Sequence, residues 1–237
     1  EFAFITFGER GASSFSCGAF GSESGIGLGG LCSVATEAEL APGEALEFSA
    51  LIGQASKAEA RALTFESTPD YVKTRLDGVK SSWRARLGMI KIKTGDKSFD
   101  LMMNGRLIYQ TIASRLFART GYYQCGGAYG FRDQLQDVLS LLQTEPELAK
   151  AHILKCAQRQ FIEGDVLHWW HEGQGGIRTY FTDDKLFLPY AVLEYVETTG
   201  DASILDKSIE YLTPMDIRDG EKERYDIYTV SDISESL

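Results

Sequence analysis

The chain has 237 residues, 24 Lys and Arg against 34 Asp and Glu for a formal net charge of -10, and 43% hydrophobic and 11% aromatic residues. That length suits one large domain or two small ones with a sizeable buried core, and the composition is that of a globular protein. The negative balance argues against a nucleic-acid partner, because a phosphate backbone demands a basic surface. No apolar run in this segment is long enough to span a bilayer. The four cysteines, Cys17, Cys32, Cys125 and Cys156, lack metal-ligand spacing, and no signal pattern is read. A reduced, cytoplasmic protein is the expectation.

Residues 1–54 hold 10 of the 24 glycines and read as short strands, among them Glu1 to Phe7 and Glu44 to Ile52, with a turn at Ala41-Pro42-Gly43. Residues 55–95 read as a helical linker, Ala-rich and charged from Ala55 to about Leu87, followed by a short connection. From 96 to 237 the pattern is that of amphipathic helices. Leu101, Ile108, Ile112, Leu116 and Phe117 fall at helical spacing, and the Gly121–Gly130 loop ends that helix. Phe131 to Leu142 predicts a second helix, and Thr144 with Glu147 a capping box for a third reaching about Phe161. Asp183 to Thr199 is a fourth, stopped by Gly200, and Asp201 caps a fifth reaching about Leu212. Beyond Pro214 the apolar period is lost, and an exposed acidic segment is expected.

The chemistry-bearing residues crowd between Gly121 and Asp201. Planar Arg and carboxylate side chains bind hydroxyl groups while flat indoles cover the apolar faces of a sugar ring, so their mixture in loops is the chemistry of a sugar site. Arg132 and Asp133 open the second helix; they can serve a ligand or anchor the helix start and complement its dipole. His168 and His171 flank Trp169 and Trp170. On a helix, histidines three apart could join a third ligand around a metal, but no complementary cluster is evident, so structural or sugar-binding roles are preferred and no metal is expected. Arg178 follows Gly173-Gln174-Gly175-Gly176, and Asp183 and Asp184 start a helix. Carboxylates in a first turn need no ligand, yet an Arg aimed at the same rim makes Arg178 and Asp184 a plausible binding pair. Tyr122, Tyr123 and Tyr129 read as packing residues of a shaped loop.

Together, YQTIASRLFARTGYYQCGGAYGFRDQLQDVLSLL, GDVLHWWH, GGIRTYFTDDKLFLPYAVLEYVETTGD and, more weakly, LAPGEALEFSALIGQA resemble glycoside hydrolase family 94. These are the inverting β-glucoside phosphorylases once classed as glycosyltransferase family 36. Within the family, the combination resembles the phosphorylase regions of cyclic β-1,2-glucan synthases and β-1,2-oligoglucan phosphorylases. The resemblance implies an α+β multidomain fragment: the end of a β-sandwich (1–54), a helical linker (55–95) and the first part of an (α/α)6 barrel (96–237). It also implies a β-glucan oligosaccharide as ligand, inorganic phosphate as co-substrate with no other cofactor, and leaves a homodimer of the parent protein open. It carries binding of the transferred glucosyl onto Arg178 and Asp184, with Arg132, Asp133, Asp183, His168, Trp169 and Trp170 in the same motifs. The family's general acid, an Asp in a Trp-Asn-Asp motif, is expected beyond Leu237, as are its phosphate-binding His and Thr-Gly pair. Two other readings stand beside it: an (α/α)6 hydrolase with an acid among Asp165, Glu172, Asp183 and Asp184, and a catalytically silent carbohydrate-binding segment.

Overall fold

The structure, a computed structural model, describes residues 2–7, 14–17, 32–66, 68–117, 127–171, 175–213, 217 and 220–237. Parts of the sequence reading, namely residues 121–126 with Tyr122 and Tyr123, and Glu172 to Gln174, lie outside the described residues. The chain divides into two compact units, Glu1–Trp83 and Arg84–Leu237, and has the mixed α+β character its sequence predicts.

In the first unit β1 (Phe2–Phe7) pairs antiparallel with β4 (Ala50–Ala55), placing Ile5 opposite Ile52, and β2 (Ser14–Cys17) pairs with β3 (Cys32–Ala35). The second expected strand lies later than its sequence pattern suggests, at β4 rather than Glu44 to Ile52. The Ala41–Gly43 turn, closed by a 3.0 Å bond from the Glu44 N–H to the Ala41 carbonyl, leads into chain outside any strand until the ladder with β1 begins at Ala50. The helical stretch from Ala55 to Leu87 resolves into α1 (Lys57–Glu66) and α2 (Pro69–Leu87). Each has its own start: Ser56 and Glu59 form a reciprocal capping box, and the Thr68 hydroxyl accepts from the Tyr71 N–H.

The second unit carries the chemistry. Asp96 caps α3 (Lys97–Leu101), whose path continues through wide turns at Met102–Arg106 and Thr111–Phe117 on either side of α4 (Leu107–Gln110). This run kinks at Asn104, whose amide pairs with both backbone groups of Ile92 at 2.6 and 2.8 Å. In α5 (Phe131–Leu139), Phe131, Gln134, Leu135 and Val138 are buried, a helical stripe that faces α6 (Pro146–Ala157) and α7 (Thr182–Thr199). Ile112, Leu141, Ile153, Phe161, Ala191, Tyr195 and Ile204 complete this core with no exposed surface beyond 1%. Each large apolar side chain so buried contributes about 1.5–3 kcal/mol.

Helix α7 matches its sequence signal closely, ending on Gly200 in the left-handed region at φ 73°. Two other expectations are corrected. Thr144 does not cap α6: the cap is Glu145, without a side-chain bond, because Pro146 fixes the start one residue later and the Thr144 N–H turns back to the Leu141 carbonyl. Asp201 caps only a single 3₁₀ turn, Ala202–Ile204, after which the chain becomes β8 (Ser208–Leu212), so no fifth helix reaches Leu212. The acidic segment beyond Pro214 is mostly exposed over its described residues, as expected, and it holds two strands. β9 (Glu223–Asp226) joins the sheet β5 (Tyr129–Gly130), β6 (Leu167–His171), β7 (Gly175–Thr179), β9, antiparallel throughout, and β10 (Val230–Ser236) pairs with β8. Both owe their form to backbone pairing with distant strands, which local composition does not reveal.

Candidate functional site

The Leu167–His171 segment, LHWWH, is a strand of a hairpin and not a helix, so the geometry under which two histidines three apart share a face is absent. His168 and His171 line different cavities. The hairpin also has a bulge. Leu167 lies opposite Arg178 while Trp169 lies opposite Ile177, so two steps along β6 match one step along β7 and His168 is the extra residue. A bulge re-aims side chains that strict alternation would send to opposite faces. Here His168 and Trp169 line one cavity, and Trp170 and His171 another. The hairpin tolerates no side chain at Gly176, where a Cβ would stand 2.7 Å from the Trp169 carbonyl oxygen and 2.8 Å from Trp170 Cβ.

The first cavity, 290 Å³, is lined by Gly130, Phe131, Arg132, Asp133, His168, Trp169, Phe181, Asp183 and Asp184. Its volume is of the order that holds a small ligand. It forms where the first turns of α5 and α7 meet β6, so six of the eight predicted site residues converge there. Arg132 reaches Asp183 at 3.1 Å with its guanidinium over the Phe187 ring at 5.1 Å. Both partners are about half exposed, which makes the pair weak as a stabiliser and open to a ligand. The Asp133 carboxylate folds back over Gly130, where a Cβ would meet Oδ2 at 2.7 Å. Asp184 is buried to 2% exposure, and its Oδ2 lies 2.7 Å from Nδ1 of the half-exposed His168. Burial raises the Asp184 pKa above the usual carboxylate value, opposed by the His168 hydrogen bond. Phe181 sits edge-on to the His168 ring at 4.9 Å.

Arg178 and Trp170 are placed elsewhere. Arg178 is not among the residues lining this cavity; its Nε and Nη2 hold Asp165 at 2.7 and 2.8 Å, Nη2 also reaches Glu163 at 3.2 Å, and the guanidinium lies over Phe161 at 4.0 Å. Burial opposes the Arg178 charge, but the bonds and charge of Asp165 outweigh it and hold the pKa above the ordinary value. Trp170 stacks on Tyr129 at 5.5 Å between two cations, Arg159 over its own ring at 5.6 Å and Lys155 over Tyr129 at 4.3 Å. Sequence reasoning missed Phe181 and Phe131 as cavity walls and Asp165 as the partner of Arg178. Only the hairpin register could have supplied the last, since the two charges lie 13 residues apart.

A larger groove of 560 Å³ runs along α7 beside β8 and β10, but its lining is mainly aliphatic, with Leu188, Val192, Leu193 and Ile209. The smaller cavity holds the converging charges and is the candidate site. Among the described residues no group of three or more His, Cys, Asp or Glu side chains is placed to hold a metal ion, and no helix is long and apolar enough to cross a membrane.

The segment that builds this site is recognisable beyond this chain. The family model described as "Glycosyl hydrolase 94 superfamily, catalytic domain" matches residues 82–225, which includes every residue of the cavity. The chain belongs to the glycosyl hydrolase 94 superfamily. Among curated relatives, it is similar to the cyclic beta-(1,2)-glucan synthase NdvB of Rhizobium meliloti (strain 1021), 37% identical over 194 residues that make up 81% of this chain and 7% of the relative. It is also similar to the N,N'-diacetylchitobiose phosphorylase of Vibrio furnissii, 23% identical over 201 residues, 73% of this chain and 25% of the relative. The solabiose phosphorylase of Paenibacillus borealis is 31% identical over 83 residues, 35% of this chain and 10% of the relative. This glycosyl hydrolase 94 chain thus spans a quarter or less of the length of each.

Proposed function

We propose that this chain supplies part of the sugar-binding site of a carbohydrate phosphorylase that cleaves β-glucosides, with β-1,2-linked oligoglucan as substrate. The observation that carries the reading is the cavity itself: Arg132, Asp133, Asp183, His168 and Asp184 around the Trp169 and Phe181 rings, inside the family-matched segment. A pyranose presents hydroxyls at its edge and apolar C–H faces, and this lining offers hydrogen-bonding groups and aromatic surface together. Arg178 and Trp170 belong to the reading through the hairpin that carries them, since the buried Arg178–Asp165 pair and the Trp170–Tyr129 stack fix the strand on which His168 and Trp169 ride. The relatives' names, a β-1,2-glucan synthase and two phosphorylases, support the substrate and the reaction.

In this reading residues 1–54 are the end of a β-sandwich, 55–95 its helical linker, and α3 to α7 open an (α/α)6 barrel over 96–237. Inorganic phosphate attacks the anomeric carbon while an Asp outside this chain protonates the departing oxygen, which inverts the centre and releases α-glucose 1-phosphate. Phosphate is already anionic and needs no carboxylate base, unlike the water of an inverting hydrolase. The cavity residues contribute by orienting the glucosyl group rather than by moving a proton.

The test is phosphate dependence. The full-length protein, given β-1,2-linked glucooligosaccharides, should release α-glucose 1-phosphate only when inorganic phosphate is present. Release of free glucose at the same rate without phosphate would replace this reading with a hydrolase.

A further inference from the structure

The bulge in β6 that gives His168 and Trp169 to the first cavity leaves Trp170 and His171 beside a second, of 220 Å³, which shares no lining residue with it. Arg159, just past the end of α6, stands with its guanidinium over the Trp170 ring at 5.6 Å, and both line this second cavity together with His171. Leu212, Ile227 and Val230 add an aliphatic wall. Trp170 and Leu212 are 2% and 3% exposed while Ile227 and Val230 are 65% and 58% exposed, so the cavity has a buried floor and a rim open to solvent. We propose that this cavity is a second binding site, for a small organic carboxylate whose head group meets Arg159 and whose short branched apolar body lies on the aliphatic wall. The inference goes beyond the sugar-site reading and does not depend on it, since the two cavities have separate linings.

The donors set the polarity. A guanidinium offers a planar fork of N–H groups that matches a carboxylate and accepts nothing in return. Trp170 Nε1 is buried and has no hydrogen-bond partner among the described residues. An indole N–H can only donate, and a buried donor left unmatched is costly, so the floor favours a ligand that brings an acceptor. The first cavity has Asp133, Asp183 and Asp184 in its lining, whereas the second has no carboxylate among the described residues. In a chain of net charge -10 such a lining is a local departure from the composition, and it favours an anion. Tyr228 closes one side as a wall, its hydroxyl donating to the Arg224 carbonyl at 3.1 Å and its ring meeting Phe161 edge-on at 5.1 Å. The aliphatic side decides between anions. An inorganic oxyanion would satisfy Arg159 and leave Leu212, Ile227 and Val230 without contact, while a carboxylate with a branched chain also removes apolar surface from water.

Isovalerate and its neutral amide, isovaleramide, separate charge from shape. Titration calorimetry on the full-length protein should show isovalerate binding about tenfold or more tighter than isovaleramide, the scale of a hydrogen bond to a charged group. Arg159→Gln should remove that preference. Val230→Asp, at an exposed position that carries a carboxylate without cost to the core, should weaken isovalerate binding by a like factor through repulsion. Inorganic phosphate should displace isovalerate only at much higher concentration, and glucose not at all. Equal affinity for acid and amide, or wild-type isovalerate affinity in Arg159→Gln, overturns the inference; if that variant fails to fold, undiminished affinity in Val230→Asp overturns it instead. A wild-type protein that binds no isovalerate overturns it too. Displacement by phosphate at matching concentration would make the cavity a bare anion site, and displacement by glucose would merge it with the sugar site; either result also overturns the inference.

Discussion

The guanidinium of Arg178 closes on Asp165 through two parallel bonds, Nε to Oδ2 at 2.7 Å and Nη2 to Oδ1 at 2.8 Å, with side-chain exposures of 5% and 4%. A bidentate pair so far from water is costly to break from one side, because the remaining charge stays buried and loses its bidentate partner. Arg178→Ala and Asp165→Ala should each lower stability by about 3–5 kcal/mol. The double variant Arg178→Met/Asp165→Leu should recover most of that loss. Urea denaturation of the three variants checks this, and single variants within about 1 kcal/mol of wild type would show the pair to be solvated in solution.

Much of this was legible in the chain, and the reasons for the exceptions are physical. Helix α7 was readable because a carboxylate pair at its start, a continuous apolar pattern and Gly200 at its end are all local signals. Convergence of Arg132, Asp133, Asp183 and Asp184 followed, since the first turns of two helices carry them. The hairpin was not readable. Its bulge removes the two-residue alternation that marks a strand, and LHWWH sets one tryptophan beside each of two cavities rather than all its apolar residues on one face. The partner of Arg178 depends on hairpin register, β8 and β10 depend on one another and β9 depends on β7, so none of these is encoded in any short window.

The raised pKa of Asp184 makes a stability prediction with a definite sign. Burial, its largest cause, penalises the ionised form, so the native pKa lies above the unfolded value of about 3.9. Below the unfolded value the carboxyl is protonated in both states and burial costs no charge. The penalty builds as pH rises through the interval between the two pKa values and is complete above it. Asp184→Asn should therefore match or exceed wild-type stability at neutral pH, with the difference shrinking in acid. Denaturation midpoints across the acidic range measure this; a variant markedly less stable at pH 7 would mean the carboxylate contributes more to the fold than it costs.

Asp201 has the opposite sign. Lys150 at 2.5 Å, then Ser203 and Tyr195, hold its carboxyl well below the usual range. The stability this adds is present above the unfolded pKa of about 3.9 and lost as pH falls toward the native one. Asp201→Asn should narrow the gap between neutral and acidic stability. The Lys150 pKa is raised, first by its bond to Asp201, so that half of the contact is present below the unfolded lysine value of about 10.4 and lost as pH rises through the native one. Parallel pH profiles for wild type and Asp201→Asn, with no narrowing at either end, would show the contact to be absent in solution.

Two glycines in regular elements should respond to alanine in opposite directions. A Cβ at Gly176 would stand 2.7 Å from the Trp169 carbonyl oxygen and 2.8 Å from Trp170 Cβ. The first obstacle is backbone in the paired strand and cannot swing away, so β6 and β7 must separate where Trp169 lies beside the cavity. Gly78, inside α2, has nothing within 4 Å of its Cβ position. There alanine only removes the entropic cost of glycine in a helix, about 0.5–1 kcal/mol. Gly176→Ala should lower the unfolding midpoint and shift tryptophan fluorescence, while Gly78→Ala should leave fluorescence unchanged with stability equal or higher. If Gly176→Ala retained both the wild-type midpoint and the wild-type spectrum, the close approach of the two strands at this position would be wrong.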